Sequence, residues 1–404
     1  MSCLVCKSEI KPVISFGQQP IANGFLTPEK FKEEYFFELK IGWCPKCAMV
    51  QLLEQPKPEM MFNENYAFFS GTSKYMAVHF EKFAHTMMDR YVKGPNAFVV
   101  EIGSNDGIML RHFKNAGIKH LGIEPSANVA AVAKKEGINT WVRFFNAETA
   151  KEIVKEYGQA DGFQAANVMC HLPDLHSIAE GIKILLKPTG VVAFEDPYLV
   201  DVLEKVSYDQ VYDEHMCLFS ATSIQYLFNQ YGMELIDLEP QVTHGGSMRY
   251  YIGHKGQHKV SKNVTHYLTM EREKGLLKAE TFEKFYHDCE KSKTDLMNLL
   301  KSLKEQKKRV VGYAATSKST TVINYCGITP DLVEFISDTT PIKQGKYSPG
   351  KHIPVLSSEK FSSNPPDYAL LFGWNHKAEI MEKEKKFTQG GGKWITYVPK
   401  VEII

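Results

Sequence analysis

The stretch Ala97–Gly107, with the sequence AFVVEIGSNDG, decides the fold of the central part of the chain. Its first half is an apolar run of the kind that forms buried parallel strands, and its second half is a turn of small and polar residues. A helix through Phe113 is predicted after the turn, and His120–Glu124 is predicted to be the next strand. A strand, a tight turn at its carboxyl end and a helix form the opening unit of a doubly wound α/β domain.

The alternation of helices and strands continues on both sides of this unit. Helices are predicted at Tyr75–Val92 and Ser126–Lys135, and short apolar runs at Gly162–Val168 and Gly190–Phe194 are predicted strands. A further helix, about Asp174–Leu186, lies between those runs. Strands and helices that alternate at this pitch indicate a parallel sheet covered by helices.

The last part of the chain restarts the pattern. A charged stretch from about Lys259 to Lys308 predicts helices with a solvated face. Strands are then predicted at Arg309–Tyr313, Leu332–Ile336 and Tyr368–Phe372. These elements predict a second, smaller α/β domain.

Four cysteines near the start of the chain form two C-x-x-C pairs, Cys3–Cys6 and Cys44–Cys47. Two residues between thiolates let both sulfurs reach one ion, and two such pairs supply the tetrahedral sulfur shell that Zn²⁺ prefers. A closed four-sulfur shell leaves no open position, so we expect one structural zinc in a small β domain. The alternative is a set of four buried free thiols.

A chain of 404 residues is too long for one ordinary core. We expect a zinc-binding domain over residues 1–72, a doubly wound, Rossmann-like domain over 73–254, and a smaller Rossmann-like α/β domain with bridging helices over 255–404.

The composition narrows the function classes. A hydrophobic content of 43% and a charged content of 24% are those of a globular protein in water. Lys and Arg number 48 against 47 Asp and Glu, a balance that disfavours a nucleic-acid partner. No apolar run approaches the roughly 20 residues that span a membrane, and Cys3 and Cys6 stand where a signal peptide would lie. We therefore expect a cytoplasmic protein.

The central turn favours S-adenosylmethionine (SAM) as the cofactor. Glu124 ends the second strand, where an acid binds both ribose hydroxyls of a dinucleotide or of SAM. The turn lacks the third glycine of a pyrophosphate-binding G-x-G-x-x-G, and Glu101 would repel a pyrophosphate but suits the cationic end of SAM. A glycine-rich turn without any ligand is the alternative. The residues expected at the cofactor are Glu101, Gly103, Asn105, Asp106, Gly107, Glu124, Pro125 and Asn167.

These residues, with others, resemble the sugar C-methyltransferases, which methylate a carbon of nucleotide-linked keto-deoxy sugars. The resemblance covers nearly the whole chain and includes the cysteine pairs and the SAM turn. It is further carried by the segments Pro20–Asn23, Val50–Gln51, Tyr66–Ser73, Asn167–Asp174, Tyr212–Ser220, Tyr313–Lys318, Lys343–Gly350 and Gly373–Asn375. The chain departs from the family pattern at Ala314–Ala315 and at Lys318–Thr320, both in the expected nucleotide-sugar pocket.

The resemblance implies that residues 73–254 form a class I SAM-methyltransferase domain and that a nucleotide-diphosphate sugar is held between it and the C-terminal domain. Lys318 and Asn375 each follow a C-terminal strand and are the expected substrate contacts. Methylation of carbon requires a base that removes a proton next to a ketone, and a donor for the enolate oxygen. His215 is the best base, because imidazole titrates near neutral pH, and Glu214 is expected to orient it or to act itself. The remaining expected catalytic residues are Tyr212, His171 and Tyr66.

We therefore expect a SAM-dependent C-methyltransferase that acts on a 4-keto-deoxy sugar, at C-3, as a monomer without an obligatory protein partner. The base remains open among His215, Glu214 and His171. Three other functions are weighed: an NAD(P)-dependent oxidoreductase of a nucleotide sugar, a zinc-ribbon RNA methyltransferase, and a binder of nucleotide sugars without catalysis.

Overall fold

The chain folds around three β-sheets that follow one another along the sequence. The computed structural model describes residues 1–56 and 74–404, so the predicted site residue Tyr66 lies outside the described residues. Within the described residues, no helix combines the length and the apolar character that crossing a bilayer requires.

The first sheet is antiparallel and has four strands in the order β1–β2–β3–β9. Inward-facing residues such as Ile14, Phe16 and Leu39 alternate with exposed ones, as expected for a sheet with one buried face. Its strands are β1 (Lys11–Pro20), β2 (Phe36–Trp43), β3 (Val50–Leu52) and β9 (Cys217–Leu218). The fourth strand thus comes from the centre of the chain, a long way from its partners in sequence.

The second sheet has seven strands in the order β10–β11–β8–β7–β4–β5–β6. All neighbours around β4 are parallel, whereas β11 runs antiparallel to both β8 and β10. The strands are β4 (Phe98–Ile102), β5 (Lys119–Ile123), β6 (Thr140–Trp141), β7 (Ala160–Ala166), β8 (Leu186–Pro197), β10 (Met233–Gln241) and β11 (Ser247–His254). The carboxyl ends of β4, β5 and β7 therefore meet at one edge.

Helices cover both faces of this sheet. The predicted helices are found close to their expected positions, and α4, α6 and α7 are additional. The helices are α1 (Lys74–Arg90), α2 (Leu110–Asn115), α3 (Ala127–Lys135), α4 (Ala147–Tyr157), α5 (Leu175–Leu185), α6 (Leu199–Glu204) and α7 (Ala221–Asn229).

Two long helices lead to the third sheet, α8 (Lys262–Glu273) and α9 (Ala279–Glu305). This sheet has the order β14–β13–β12–β15–β16–β17 and is parallel except at β17. Its strands are β12 (Val310–Tyr313), β13 (Ile336–Asp338), β14 (Val355–Ser357), β15 (Tyr368–Leu371), β16 (Lys393–Thr396) and β17 (Glu402–Ile403). Its helices are α10 (Ser317–Cys326), α11 (Ser358–Ser363), α12 (Lys377–Lys383) and α13 (Lys385–Gln389).

The predicted strand Leu332–Ile336 is wrong in most of its length. The backbone N–H groups of Leu332 and Val333 both bond to the carbonyl of Thr329, so this segment is a turn, and the strand begins only at Ile336. Val333 and Phe335 are apolar because they pack into the core from that turn.

Candidate active site and zinc centre

The turn after β4 brings backbone close to the end of β7. Gly103 has a φ of +59°, and a Cβ on it would lie 2.4 Å from Val168 Cγ2, so only glycine fits there. Asn105 is also in the left-handed region, with a φ of 50°. The turn closes with a hydrogen bond of 2.9 Å from Gly107 N to Ser104 O.

Glu124 stands directly after β5 and faces this turn. Its Oε2 accepts the N–H of Asn105 at 3.0 Å, and its Oε1 accepts the N–H of Ser126 at 2.8 Å. Burial raises the pKa of Glu124, against the effect of these two bonds. The bonds fix the carboxylate, and each oxygen keeps a further lone pair for a ribose hydroxyl.

Three carboxyl groups surround the turn, those of Glu101, Asp106 and Glu124. Burial raises the pKa of Glu101 well above its ordinary value, and the charges of the other two acids add to this effect. Within the described part of the chain, Glu101 Oε2 has no hydrogen-bond partner. A sulfonium and an ammonium group are the charges that such a set of acids favours, so the residues fit the cationic end of SAM.

The other two predicted cofactor residues flank the same edge. Pro125 lies half-buried beside Glu124. Asn167, directly after β7, has a φ of 56°, and its N–H donates to Glu195 O at 2.7 Å. Its buried Oδ1 accepts no hydrogen bond from any residue that the structure describes. The structure therefore brings all eight predicted cofactor residues to the ends of β4, β5 and β7.

The two cysteine pairs of the first sheet form turns of the same shape. In the first, Lys7 N donates to Cys3 O at 3.0 Å, and in the second, Ala48 N donates to Cys44 O at 2.9 Å. Lys7 and Ala48 follow the second cysteine of each pair and both have left-handed backbone, with φ of 58° and 56°. The second turn connects β2 to β3, which brings the distant pairs together.

The four sulfurs are placed as a metal shell requires. Cys3 Sγ lies 3.5 Å from Cys47 Sγ, and Cys6 Sγ lies 3.3 Å from Cys44 Sγ. All four lie within 4.8 Å of one another, where a tetrahedral shell with Zn–S bonds of about 2.3 Å requires separations of about 3.8 Å. The hydrogen bond between Cys3 and Cys47 lowers the pKa of Cys3 to about 5 and raises that of Cys47, and burial raises the pKa of Cys44. The residues fit one structural Zn²⁺.

The strand β9 connects the zinc-bearing sheet to the predicted catalytic segment. Gln51 of β3 pairs with Cys217, and Leu52 N donates to Met216 O at 2.9 Å. His215 is the residue just before this paired segment. The position of its backbone is thus tied to the sheet that the cysteine turns hold.

The two acids before His215 bind the N-terminal part of the chain. Asp213 Oδ1 accepts the N–H of Ala22 at 3.0 Å, and Glu214 Oε1 accepts Asn23 Nδ2 at 2.7 Å. Burial raises the pKa of Asp213 to about 8 and also raises that of Glu214, where the hydrogen bond from Asn23 opposes the shift. Glu214 therefore lies in an interface between domains.

His215 is oriented by residues other than the expected Glu214. Its Nδ1 lies 2.7 Å from Gln210 O, and its Nε2 lies 2.7 Å from the Tyr212 hydroxyl. Because a carbonyl only accepts, Nδ1 carries the proton, and Nε2 of the neutral ring accepts from the hydroxyl. The expectation that Glu214 orients this ring is corrected, since its side chain is directed to Asn23 instead.

Burial keeps two imidazoles of the site neutral. It lowers the pKa of His215 well below its ordinary value, with the charges of His171 and His244 acting in the same direction. The ring of His171 is stacked against that of His215, with centroids 5.4 Å apart, and burial lowers its pKa to about 4. His215 is therefore unprotonated at neutral pH, which is the form that a general base requires.

Lys318 and Asn375, the predicted substrate contacts, lie side by side in the third domain. Lys318 Nζ is 3.5 Å from Asn375 Oδ1, 3.3 Å from His244 O and 5.2 Å from the centroid of the Trp374 ring. Lys318 is in the first turn of α10, where the helix dipole adds to its charge. Burial lowers the pKa of Lys318 to about 8, and the charge of Asp209 opposes this shift.

Three residues close to Lys318 and His215 were not predicted from the sequence: Asp209, Gln210 and His244. Gln210 donates through Nε2 to the carbonyl of His244, which also accepts Lys318 Nζ. His244 is a non-glycine residue with a φ of 54°, a conformation that commonly marks a functional site. The only signal in the sequence is that His244 precedes Gly245–Gly246, a pair typical of a tight turn.

The sheet order of the central domain and the acid-lined turn at its edge indicate the class of the protein. It is a SAM-dependent methyltransferase with a zinc-binding domain at its N-terminus and an α/β domain at its C-terminus. The predicted fold class and the predicted cofactors, SAM and zinc, are confirmed.

Comparisons with known proteins support this assignment. Three family models match, described as "Putative zinc binding domain" (3–62), "Methyltransferase domain" (75–238) and "C-methyltransferase C-terminal domain" (242–399). C-methyltransferase NovU of Streptomyces niveus is 32% identical over 405 residues, covering 100% of this chain and 96% of the relative. The chain belongs to the C-methyltransferase family, as the resemblance predicted.

Solved structures show only distant likeness. A SAM-dependent methyltransferase from Anabaena variabilis aligns with a TM-score of 0.33 and 15% identity over 44% of this chain and 95% of that chain. Magnesium protoporphyrin IX methyltransferase from Synechocystis, with bound SAH, gives a TM-score of 0.35 and 11% identity over 44% and 83% of the two chains.

Proposed function

We propose that the protein transfers a methyl group from SAM to the carbon next to the ketone of a nucleotide-diphosphate 4-keto-deoxy sugar, at C-3. The observation that carries the proposal is the neutral imidazole of His215, oriented by hydrogen bonds at both ring nitrogens and close enough to the buried Lys318 to be affected by its charge. Membership of the C-methyltransferase family supports the choice of carbon as the acceptor.

His215 acts as the base in this proposal. Its Nδ1–H is held by Gln210 O, so the nitrogen that accepts the substrate proton is Nε2. The Tyr212 hydroxyl donates to the single lone pair of Nε2, so this hydroxyl turns aside and frees Nε2 when the reacting carbon approaches. When the proton moves to Nε2, the new imidazolium is stabilised by the Gln210 carbonyl at the opposite nitrogen.

The cofactor and the residues near His215 supply the methyl group, stabilise the enolate and bind the diphosphate. SAM, bound by the acids at the ends of β4 and β5, supplies an electrophilic methyl group. His171, neutral and stacked on His215, donates a hydrogen bond to the enolate oxygen. Lys318 and Asn375 bind the diphosphate, because a buried ammonium next to an amide is a strong anion site.

The zinc has a structural role in this proposal. Cys3, Cys6, Cys44 and Cys47 hold the ion in a closed shell that offers no position to a substrate. Its contribution to the reaction is indirect, through the sheet that β9 joins.

The test is incubation with SAM and a panel of nucleotide-linked sugars, with and without a 4-keto group, followed by mass spectrometry. We expect a gain of one methyl only with keto sugars, and carbon–carbon attachment in the product by NMR. Methylation of the non-keto sugars at oxygen would refute the enolate reaction. Reduction of the sugar by NADPH would favour the oxidoreductase instead.

A further inference from the structure

Asp209 is a fully buried acid at the contact between the central and C-terminal domains. It lies in the 3₁₀ turn Tyr208–Gln210, before His215 in the chain. Its Oδ2 accepts the indole N–H of Trp374 at 2.6 Å and the hydroxyl of Tyr397 at 2.7 Å. Both donors belong to the C-terminal sheet region, so one carboxylate oxygen fastens that domain to the turn.

Gln210, the next residue in the chain, connects the same turn to His215, the proposed base. Gln210 O accepts the Nδ1–H of His215 at 2.7 Å. The Gln210 side chain donates to His244 O, the same carbonyl that accepts Lys318 Nζ. Two consecutive residues, Asp209 and Gln210, therefore link the substrate-binding lysine to the proposed base.

The indole of Trp374 is tightly packed where the C-terminal domain meets the central domain. A Cβ on Gly245 would lie 2.0 Å from Trp374 Cη2, so the indole is packed directly on the backbone beside His244. The orientation of Trp374 is thus set by Gly245 on one side and by Asp209 on the other. Because Lys318 lies over the Trp374 ring, its position depends on both.

Asp209 and Lys318 also interact electrostatically. Lys318 is the cation whose charge stabilises the ionised form of Asp209, while burial raises the pKa of Asp209. The titratable groups that face Lys318 are Asp209, His215, His244 and His376, and the three histidines have pKa values lowered by burial. Asp209 is therefore the only acid among these four groups.

We propose that Asp209 is a positioning residue for the methyl transfer, which fixes Trp374 and Tyr397 against the turn that holds His215 and serves as the buried counter-ion of Lys318. This inference rests on the proposed function, since it assumes that Lys318 binds the diphosphate of the substrate. Asp209 itself touches neither substrate nor cofactor.

Two variants separate the charge from the hydrogen bonds. Asp209→Asn keeps an oxygen for both donors but removes the charge, so the pKa of Lys318, about 8 in the native protein, falls further. The Kd of a nucleoside diphosphate (UDP and dTDP) should then begin to rise at a lower pH, and at pH 8 it should be about fivefold above the native value for a downward shift of one pKa unit. Tyr397→Phe keeps the charge, so it should lower kcat a few-fold without moving the pH profile.

The matched control is Glu271→Gln, which neutralises another fully buried acid. Glu271 accepts hydrogen bonds from Tyr198 and from the backbone of Ala221 and Thr222, away from Lys318. Its variant should bind the diphosphate with the native pH profile.

Calorimetry from pH 6.5 to 8.5 distinguishes the outcomes. If the native protein binds neither nucleoside diphosphate, the substrate class of the proposed function is refuted and this inference with it. If the native protein binds and Asp209→Asn shows the native pH profile, or Glu271→Gln shows the displaced one, only the role of Asp209 is refuted. If Asp209→Asn does not fold, a native kcat in Tyr397→Phe overturns the positioning role.

Discussion

Replacement of His215 by alanine tests the proposed base. The variant should lose most methyl transfer, because the atom that takes the proton, Nε2, is removed. It should still bind SAM, since the acids at the ends of β4 and β5 are untouched. It should also bind a nucleoside diphosphate, because Lys318 and Asn375 keep their neighbours.

The size of the effect follows from the site. Loss of a general base costs about 10²–10⁴-fold in rate, which corresponds to about 2.7–5.4 kcal/mol of activation free energy. The substitution also leaves Gln210 O and the Tyr212 hydroxyl without the imidazole that they bond in the native protein. The buried Gln210 O loses its donor, which should lower the free energy of unfolding by about 1–3 kcal/mol.

Deprotonation is measured apart from methyl transfer. With S-adenosylhomocysteine in place of SAM, the native enzyme should exchange the substrate proton for deuterium from solvent, and His215→Ala should do so at least about a hundredfold more slowly. The control is His176→Ala, which breaks another His–Tyr hydrogen bond, 2.7 Å from His176 Nδ1 to the Tyr231 hydroxyl, outside the cleft. Exchange at the native rate in His215→Ala would refute the assignment and direct the same test to Glu214 and His171.

Three other predictions concern the cofactor, the metal and pH. Glu124→Ala should weaken SAM binding by at least about tenfold, as expected for loss of about 1.5 kcal/mol or more from charge-assisted hydrogen bonds, and unchanged affinity in calorimetry would contradict its placement. Cys44→Ser or chelation should release about one zinc per chain and unfold the first sheet, which metal analysis and circular dichroism would show; a folded, zinc-free native protein would argue against the site. Burial raises the pKa of Asp196 to about 8, whereas the pKa of an aspartate in the unfolded chain is about 3.9. Between these two pH values the carboxyl of Asp196 is protonated in the native state and ionised in the unfolded chain. Stability should therefore fall as pH rises through this window, and Asp196→Asn should raise the melting temperature more at pH 8 than at pH 5; an equal change at both would contradict this.

The parts of the fold that the sequence predicted are those with a local cause. The apolar run before Gly103 could only be buried on both faces, and the spacing of each cysteine pair specifies a turn. The antiparallel strands β10 and β11 were missed because they mix polar and apolar residues without a clean alternation. The strand β9 has two residues, and its pairing with β3 depends on contacts between distant segments, which no local pattern reveals.

The site was predicted to the extent that it belongs to motifs. Glu124 and the turn of β4 were predicted from position alone, and His215 from its family segment. Asp209 and Gln210 carry no spacing signal, because their partners come from other domains and meet them only in the folded protein. The partner of Glu214 was predicted wrongly for the same reason. In a turn, a residue next to His215 in sequence can direct its side chain away from the imidazole.

The position of β9 also has a consequence for the order of events during synthesis. The cysteine turns and the strands β1, β2 and β3 leave the ribosome before the central domain, but their sheet lacks its last strand until Cys217 and Leu218 have been made. Most of the central domain is translated in between. The edge strand β3 therefore stays without its partner until β9 has been synthesised. The zinc-bearing sheet is thus completed by a segment synthesised much later, and neither region matures as a separate unit.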